Sequence, residues 1–256
     1  MKRIVVKVGS AVLAHNDSIA IDRMENLVDF LAELKKNNEV ILVSSGAVAA
    51  GYTKIQLDRS IIRNKQALAS IGQPILMHTY TEKFLKHNII ISQVLLTSAN
   101  FSKTQEIIKI KNTVDTLISN NIIPIVNEND ATATDELEVG DNDQLSAYIT
   151  KHIDADILII LSDIDAYYDK DPRKSLDAKI LKVINKIDQK DLNRDATPHG
   201  TFATGGIVTK LKAASYLLDK NIDTFLATGF DLSDVKSYLL DNHHIGGTLF
   251  TNRGSK

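Results

Sequence analysis

The sequence predicts an α/β fold class, a three-layer α/β/α sandwich around a mainly parallel sheet. Two observations lead to this prediction. Short runs rich in β-branched residues recur along the chain, and each run is nearly all apolar rather than alternating, which is typical of strands covered on both faces. Segments with the apolar spacing of helices lie between these runs, and such alternation indicates helices on both sides of one sheet.

Six apolar runs are predicted to form strands. They are Ile4 to Val8, Val40 to Val43, Ile89 to Leu96, Ile122 to Val126, Ile157 to Leu161 and Thr224 to Leu226. The first predicted helix has one apolar face, formed by Met24, Leu27, Val28, Leu31 and Leu34. Asp22 near its start and Lys35 near its end suit the helix dipole. Two further helices are predicted over about 60–86 and 104–119.

The composition excludes several function classes. The 256 residues include no cysteine, so disulfide scaffolds, cysteine nucleophiles and iron–sulfur clusters are ruled out. Thirty Lys and Arg residues nearly balance 32 Asp and Glu residues, so no global charge draws the protein to a polyanion or a membrane surface. The sequence shows no secretory signal and no apolar stretch of about 18 residues. We therefore expect a soluble, cytoplasmic protein with no nucleic-acid or membrane partner.

Small or polar residues follow four of the predicted strands. These segments are Gly9–Ser10, Ser44–Gly46, Asn127–Asp130 and Ser162–Asp163. In open α/β sheets, ligands bind beyond the carboxyl ends of the strands. Each segment alone could be a turn or a helix cap, but four of them at one edge of a sheet favour a shared site.

Lys7 is a charged residue within an otherwise apolar strand, two positions before Gly9. A glycine lets backbone amides approach a ligand closely, and a lysine can place a compact positive charge on it. The alternative interpretation is a lysine whose head group reaches solvent from the strand end.

A glycine pair precedes a helical pattern near the end of the chain, in the segment Thr204–Lys210. Free amides at a helix N-terminus bind anions readily, and Lys210 lies about one turn further on. The segment is not a Walker loop, because Thr209 stands where that loop has glycine. The glycine pair alone is weak evidence, but together with Thr209 and Lys210 it indicates a phosphate.

The run from Asn127 to Asp143 is strongly acidic. It holds seven carboxylates and no Lys or Arg: Glu128, Asp130, Asp135, Glu136, Glu138, Asp141 and Asp143. A solvated acidic loop is one interpretation. However, an apolar helical pattern begins directly after Asp143, so the end of the run lies near the sheet. Asp141 is a candidate helix cap, and Asp143 lies inside the helix start.

Taken together, these segments resemble the amino acid kinase superfamily, and most closely the glutamate 5-kinases. The matching segments are Lys7–Ser10, Ser44–Gly51, Asn127–Asp130, Val139–Asp143, Asp171–Arg173, Thr204–Lys210 and Gly247–Phe250. The resemblance implies the amino acid kinase fold in a single domain over 1–256. It places a glutamate-binding lobe at about 1–150 and a nucleotide-binding lobe at about 151–256. Many members continue into a C-terminal PUA domain of RNA-binding character, which is not expected here.

The glutamate 5-kinases transfer the γ-phosphoryl group of ATP to the γ-carboxylate of L-glutamate, the first step of proline biosynthesis. By this resemblance the catalytic residues are Lys7, Lys210 and Asp143. The ATP-binding residues are Lys7, Gly9, Ser10, Ser162, Asp163, Thr204, Gly205, Gly206, Ile207, Val208, Thr209 and Lys210. The glutamate-binding residues are Ser45, Gly46, Asp130 and Asn142. The resemblance also implies Mg²⁺ with the ATP, no metal held by the protein itself, L-proline as a feedback inhibitor and a homo-oligomer.

Two alternatives stay open at the level of sequence. One is another kinase of the superfamily, acting on N-acetylglutamate, aspartate, carbamate or UMP. The other is a non-catalytic sensor of an amino acid and a nucleotide, which the presence of both lysines and Asp143 disfavours. Ala166 and Ala203 stand where the family usually has glycine, which adds two methyl groups near the expected nucleotide.

Overall fold

The computed structural model describes residues 1–15, 18–132, 142–193 and 206–253. Within these ranges the chain forms ten strands: β1 (Arg3–Val8), β2 (Ala14–His15), β3 (Ser18–Ile19), β4 (Glu39–Ser44), β5 (Ile91–Leu96), β6 (Ile123–Glu128), β7 (Ile157–Ser162), β8 (Val183–Ile184), β9 (Asp223–Thr228) and β10 (Thr248–Phe250). All six predicted strands are present, with ends that differ by a few residues.

The same ranges contain nine α-helices: α1 (Ser10–Leu13), α2 (Ile21–Leu34), α3 (Ala47–Tyr52), α4 (Ile62–Leu85), α5 (Thr104–Ser119), α6 (Asn142–His152), α7 (Gln189–Leu192), α8 (Ile207–Leu218) and α9 (Ser233–Leu239). The three predicted helices correspond to α2, α4 and α5. None of the described helices combines the length and the apolar character needed to cross a bilayer.

Eight strands form one sheet in the order β5-β6-β4-β1-β7-β9-β10-β8. Every neighbouring pair in it is parallel except β9 and β10. The predicted α/β class with a mainly parallel sheet is therefore confirmed. Strands from 1–150 and from 151–256 meet in this sheet where β1 pairs with β7, and the division into two lobes stays a prediction.

Helices cover both faces of the sheet, which gives the three layers. On one face, Ile4, Val6 and Val8 of β1 pack in a core with α2, α4 and α9. On the other face, Val5 packs in a core with α5, α6 and α8. Because successive strand residues point to opposite faces, Lys7 shares the face of Val5. The alternation of β1 thus directs the Lys7 side chain toward α6 and α8.

Helices α3 and α4 pack with their backbones almost in contact. A Cβ atom added to Gly51 would lie 1.9 Å from the carbonyl oxygen of Leu68, and one added to Gly72 would lie 1.8 Å from that of Ala47. Only glycine permits this approach. The close packing fixes the start of α3, and with it the Ser45–Gly46 turn, against the long helix α4.

Candidate active site

Three charged side chains that lie far apart in the sequence meet at the carboxyl edge of the sheet. The Nζ atom of Lys7 on β1 lies 2.5 Å from Oδ1 of Asp143 in the first turn of α6. The Nζ atom of Lys210, in the first turn of α8, lies 3.0 Å from Oδ2 of the same carboxylate. We call these three residues the lysine–aspartate triad. Its members are the residues that the resemblance gave as catalytic.

The triad is almost entirely removed from solvent. Asp143 is 0% exposed, Lys7 3% and Lys210 4%. Burial of a carboxylate would by itself raise the pKa of Asp143, but the charges of Lys210 and Lys7 outweigh this effect and hold that pKa below its ordinary range. The hydroxyl of Thr209 also donates a hydrogen bond of 2.9 Å to Asp143 Oδ2. With Asp143 ionised and both lysines protonated, the triad carries a net charge of +1.

The starts of helices α1 and α8 lie beside the ammonium groups of Lys7 and Lys210. Gly9 is the N-terminal cap of the short helix α1, Ser10 is its first residue, and the Gly9 N–H donates to the carbonyl of Leu161 at 3.0 Å. Gly206 caps α8, and Ile207, Val208 and Thr209 form the first turn of that helix, where N–H groups have no partner within the helix. Thr204, Gly205 and Ala203 lie outside the described residues.

Ser162 and Asp163 lie at the end of β7, on the nucleotide side that the resemblance implies. The Ser162 hydroxyl donates to Asp163 Oδ1 at 2.8 Å, and the Ser162 carbonyl accepts from the Gly229 N–H at 2.7 Å. Ser162 is the last residue of β7 rather than the first residue after it. Ala166, which stands where the family usually has glycine, is buried.

A polar cavity of about 570 Å³ opens next to the triad. Its wall includes all four residues that the resemblance gave as glutamate-binding: Ser45, Gly46, Asp130 and Asn142. It also includes Ser10, Tyr52, Asp58, Arg59, Lys65, Asn127 and Glu128. Ser10 follows Gly9, and Asn142 precedes Asp143, so one end of the polar cavity lies beside the triad. Gly46 adopts a φ of +107°, a backbone conformation that strongly favours glycine.

A chain of amide side chains supports this cavity. The Nδ2 group of Asn142 donates to Ser45 Oγ at 2.9 Å and to Asn127 Oδ1 at 3.0 Å. Asn127 Nδ2 donates in turn to Gln73 Oε1 at 2.9 Å, and Gln73 Nε2 donates to Gln93 Oε1 at 3.0 Å. The Oδ1 atom of Asn142 is buried and receives no hydrogen bond from the described residues. It is therefore available to accept a hydrogen bond from a ligand.

Gln73, a member of this chain of amides, does not belong to any of the motifs in the sequence. It lies on α4 in register with the buried residues Leu76 and Tyr80, so a polar residue stands within an otherwise apolar helical face. That break in the pattern was the available signal, because a buried amide needs hydrogen-bonding partners. Arg59 and Lys65 of the cavity wall were missed as well.

Asp130 has an unusual electrostatic environment. Burial raises its pKa to about 6, although the nearby charge of Lys65 acts in the opposite direction. Within the described ranges its carboxylate receives no hydrogen bond and forms no ion pair. Asp130 is half-buried, and a partly desolvated carboxylate without a partner is well suited to receive a cationic group of a ligand.

The structure places only part of the acidic run. Glu128 and Asp130 line the polar cavity, and Asp143 belongs to the triad. The remaining four carboxylates lie outside the described residues: Asp135, Glu136, Glu138 and the candidate helix cap Asp141. The described members thus line the cavity or belong to the triad, and they do not form a solvated loop.

Comparison with known proteins identifies the family. The sequence model of the amino acid kinase family matches residues 2–228. The chain belongs to the amino acid kinase family. This amino acid kinase is 51% identical over 255 residues to a glutamate 5-kinase of Leishmania donovani, an alignment that covers 100% of the chain and 97% of the relative. It is 49% identical to a glutamate 5-kinase of Wolinella succinogenes, with 99% of each chain covered.

A solved structure supports the fold. The X-ray structure of an isopentenyl phosphate kinase aligns with this amino acid kinase at a TM-score of 0.66 and 16% identity, over 97% of the chain and 100% of the other protein. The comparisons confirm the resemblance to glutamate 5-kinases that the sequence motifs indicate. The individual roles of the site residues stay predictions.

Proposed function

We propose that this amino acid kinase transfers the γ-phosphoryl group of ATP to the γ-carboxylate of L-glutamate, forming L-glutamyl 5-phosphate. One observation carries this proposal: the buried lysine–aspartate triad lies beside a polar cavity that holds the unpaired carboxylate of Asp130. The full-length similarity to two glutamate 5-kinases selects the reaction within the family.

The chemistry explains why two lysines are needed. A γ-carboxylate is ionised near pH 7, so it can attack phosphorus without a general base. The obstacle is the approach of one anion to another, because unit charges about 4 Å apart repel by about 4 kcal/mol at an effective dielectric constant near 20. Lys7 and Lys210 place two ammonium groups where they offset this repulsion. Positioned charges of this kind are the main catalytic device of phosphoryl transfer.

In the transfer step, an oxygen of the γ-carboxylate forms a bond to the γ-phosphorus of ATP. The bond from that phosphorus to the bridging oxygen breaks, and its electron pair stays on ADP. No proton moves. Asp143 therefore acts as a positioning residue, which holds both ammonium groups through its two oxygens.

The nucleotide is expected to enter as its Mg²⁺ complex. Both oxygens of the Asp143 carboxylate already contact lysines, and the described residues contain no group of three or more metal-ligating side chains. The described side chains of the site by themselves therefore do not make a metal-binding donor set. Mg²⁺ typically keeps its waters and binds substrate phosphates, so we place it on ATP as part of that substrate.

On the acceptor side, the ionised carboxylate of Asp130 binds the α-ammonium group of glutamate. Ser45 and Asn142 hold the substrate at the end of the polar cavity next to the triad. An acceptor with an acylated or missing amino group offers no positive charge to Asp130. We therefore expect glutamate to be preferred over N-acetylglutamate.

Feedback inhibition by L-proline, self-association into a homo-oligomer and a cytoplasmic location also belong to this proposal. Proline carries the same α-ammonium and α-carboxylate groups as glutamate, so it can compete for the polar cavity. Light scattering coupled to size-exclusion chromatography tests the oligomeric state.

A coupled assay of ADP release tests the reaction. Glutamate, N-acetylglutamate, aspartate, carbamate and UMP are compared as acceptors with MgATP, each with and without L-proline. Turnover with glutamate that exceeds turnover with all other acceptors supports the proposal. Turnover with another acceptor and none with glutamate overturns it.

A further inference from the structure

The wall of the polar cavity carries charges of both signs. Its charged residues are Asp58, Arg59, Lys65, Glu128 and Asp130. Asp58 already serves the loop before α4, because it accepts hydrogen bonds from the backbone N–H and the hydroxyl of Ser60 at 2.9 and 2.7 Å. Its commitment to Ser60 lowers the pKa of Asp58. Asp58 is therefore not available to a ligand in the way that Asp130 is.

The two cations of the wall, Arg59 and Lys65, also differ in whether they already have a partner within the protein. The guanidinium of Arg59 stacks on the ring of Tyr52, 4.3 Å from its centroid. The ammonium of Lys65 forms no ion pair and donates no hydrogen bond within the described ranges. Lys65 thus lines the cavity as a cation without a partner.

The position of Lys65 near the start of α4 does not allow its charge to stabilise that helix. Lys65 lies in the first turn of α4, which contains no acidic residue and whose cap, Ile61, provides no side-chain hydrogen bond. The positive end of the helix dipole disfavours a cation there. The Asn64 and Lys65 N–H groups donate to the Ile61 carbonyl, so the positive potential at this part of the cavity wall comes mainly from the Lys65 ammonium together with the positive end of the helix dipole.

The charge of Lys65 also acts on Asp130, whose pKa it lowers against the larger effect of burial. The two groups are therefore close enough to interact through the cavity. An amino acid carries an ammonium and a carboxylate on one carbon atom. If the ammonium binds Asp130, the adjacent carboxylate faces a wall that contains acidic residues and needs a cation.

We propose that the Lys65 ammonium binds the α-carboxylate of the amino acid acceptor and so makes the enzyme specific for substrates with a free α-carboxylate. This inference rests on the proposed function. Asp130 and Lys65 form a pair of opposite charges that receives the zwitterionic end of the substrate, while the γ-carboxylate extends toward the triad. Substrates with a neutral group in place of the α-carboxylate leave Lys65 without its counter-charge.

The test compares L-glutamate with its α-amide, which keeps the ammonium and the γ-carboxylate but replaces the α-carboxylate with a neutral group. We expect the wild-type kcat/KM for glutamate to exceed that for the α-amide by roughly 10- to 100-fold, as for a charge-assisted contact. In Lys65→Met and Lys65→Gln this preference is expected to approach unity, through a rise in the KM for glutamate and with the KM for ATP unchanged. Lys65→Arg is expected to retain the preference.

Lys54→Met provides the control, since it removes a lysine charge from the segment between α3 and α4, at a residue outside the cavity wall. The proposal is overturned if the wild-type preference persists in both neutral Lys65 variants, or if these variants lose activity equally on both substrates. Collapse of the preference in Arg59→Met but not in Lys65→Met would also overturn it. A wild-type enzyme that does not phosphorylate glutamate refutes the proposed function itself, and the same assay shows this before any variant is compared.

Discussion

The ammonium of Lys7 and the carboxylate of Asp143 lie 2.5 Å apart in a site that is closed to solvent. One residue comes from the central strand β1 and the other from the first turn of α6, 136 positions later in the chain. Lys210 contacts the other oxygen of the same carboxylate. Asp143 therefore balances one of the two positive charges and leaves a net charge of +1, which in the proposed function attracts the transferring phosphoryl group.

This charge balance predicts unequal effects of removing Asp143 and Lys210. Asp143→Asn leaves two buried ammonium groups without a counter-charge and is expected to destabilise the fold by about 3–5 kcal/mol. Lys210→Met leaves the neutral Lys7–Asp143 pair and is expected to change the thermal transition much less, while kcat falls roughly 100- to 1000-fold. Thermal unfolding and ADP release measure the two quantities. Equal stability losses in both variants would show that Asp143 does not balance the lysine charges.

The Gly9→Ala variant is expected to weaken ATP binding without changing the stability of the fold. A Cβ atom at Gly9 would meet its nearest neighbours, the Leu161 carbonyl and the Lys7 ammonium, at ordinary distances of 3.6 and 3.8 Å. The variant is therefore expected to fold normally, but its methyl group lies beside the ammonium and obstructs the phosphates, which raises the KM for ATP. Gly72→Ala is the matched control, since its Cβ clashes with the backbone of α3 and lowers the melting temperature. A normal KM for ATP in Gly9→Ala would show that Gly9 does not border the phosphate site.

Asp130→Asn is expected to stabilise the protein while impairing glutamate binding. Burial raises the pKa of Asp130 in the folded state to about 6, above the ordinary value of about 4 for a free aspartate. Because the folded protein binds the proton of Asp130 more tightly than the unfolded chain does, this group favours folding most below pH 4. Its favourable contribution to the free energy of unfolding is lost as the pH rises through about 6. At pH 8 the ionised, half-buried carboxylate therefore disfavours folding by roughly 1–3 kcal/mol, which the neutral amide avoids.

Unfolding experiments at several pH values measure this effect. Asp130→Asn is expected to be more stable than the wild type at pH 8, and this advantage is expected to shrink as the pH falls to 4. The substitution is also expected to raise the KM for glutamate roughly 10- to 100-fold. In the wild-type enzyme the same ionisation makes the KM for glutamate increase as the pH drops below about 6. A variant that is less stable than the wild type at pH 8 contradicts the assignment of Asp130 as a strained, unpaired carboxylate.

Gln73→Met tests the amide chain that supports the polar cavity. Methionine preserves the size of the side chain but leaves the buried Asn127 amide without its acceptor, which costs about 1–3 kcal/mol. The orientation of Asn142 depends on Asn127, so we expect a higher KM for glutamate and an unchanged KM for ATP. Gln93→Met is the control, because it changes the exposed end of the same chain. Similar kinetics for both variants would limit Gln73 to a structural role.

Much of the fold could be predicted from the sequence because local patterns carry it. The apolar runs of β1 and β7 are strands buried on both faces, and the apolar stripe of α2 is one face of a helix. The short helix α3 was not predicted, because its formation depends on backbone contact between Gly51 and Gly72. Such a contact between distant segments leaves no periodic signal.

The sequence predicts the lysine–aspartate triad more fully than it predicts the wall of the polar cavity. Lys7 and Lys210 stand out because each interrupts an expected pattern near a glycine, and Asp143 lies at a helix start. Lys65 and Gln73 gave a weaker signal, since a lysine or glutamine on a 24-residue helix is ordinary until the tertiary structure shows what it faces. Their importance arises only when β6 and α4 come together at the polar cavity.

Direct detection of the acyl phosphate tests the proposed chemistry most closely. Hydroxylamine converts an acyl phosphate into a hydroxamate, and at high concentration it does so before the α-amino group displaces the phosphate by cyclisation. Reactions with MgATP and L-glutamate are therefore run in the presence of hydroxylamine and analysed by mass spectrometry. We predict γ-glutamyl hydroxamate in equal amount to ADP for the wild-type enzyme, and a rate of formation of both products that is roughly 100- to 1000-fold lower for Lys210→Met. ADP formed without hydroxamate, or hydroxamate formed at the wild-type rate by Lys210→Met, would contradict phosphoryl transfer by the lysine–aspartate triad.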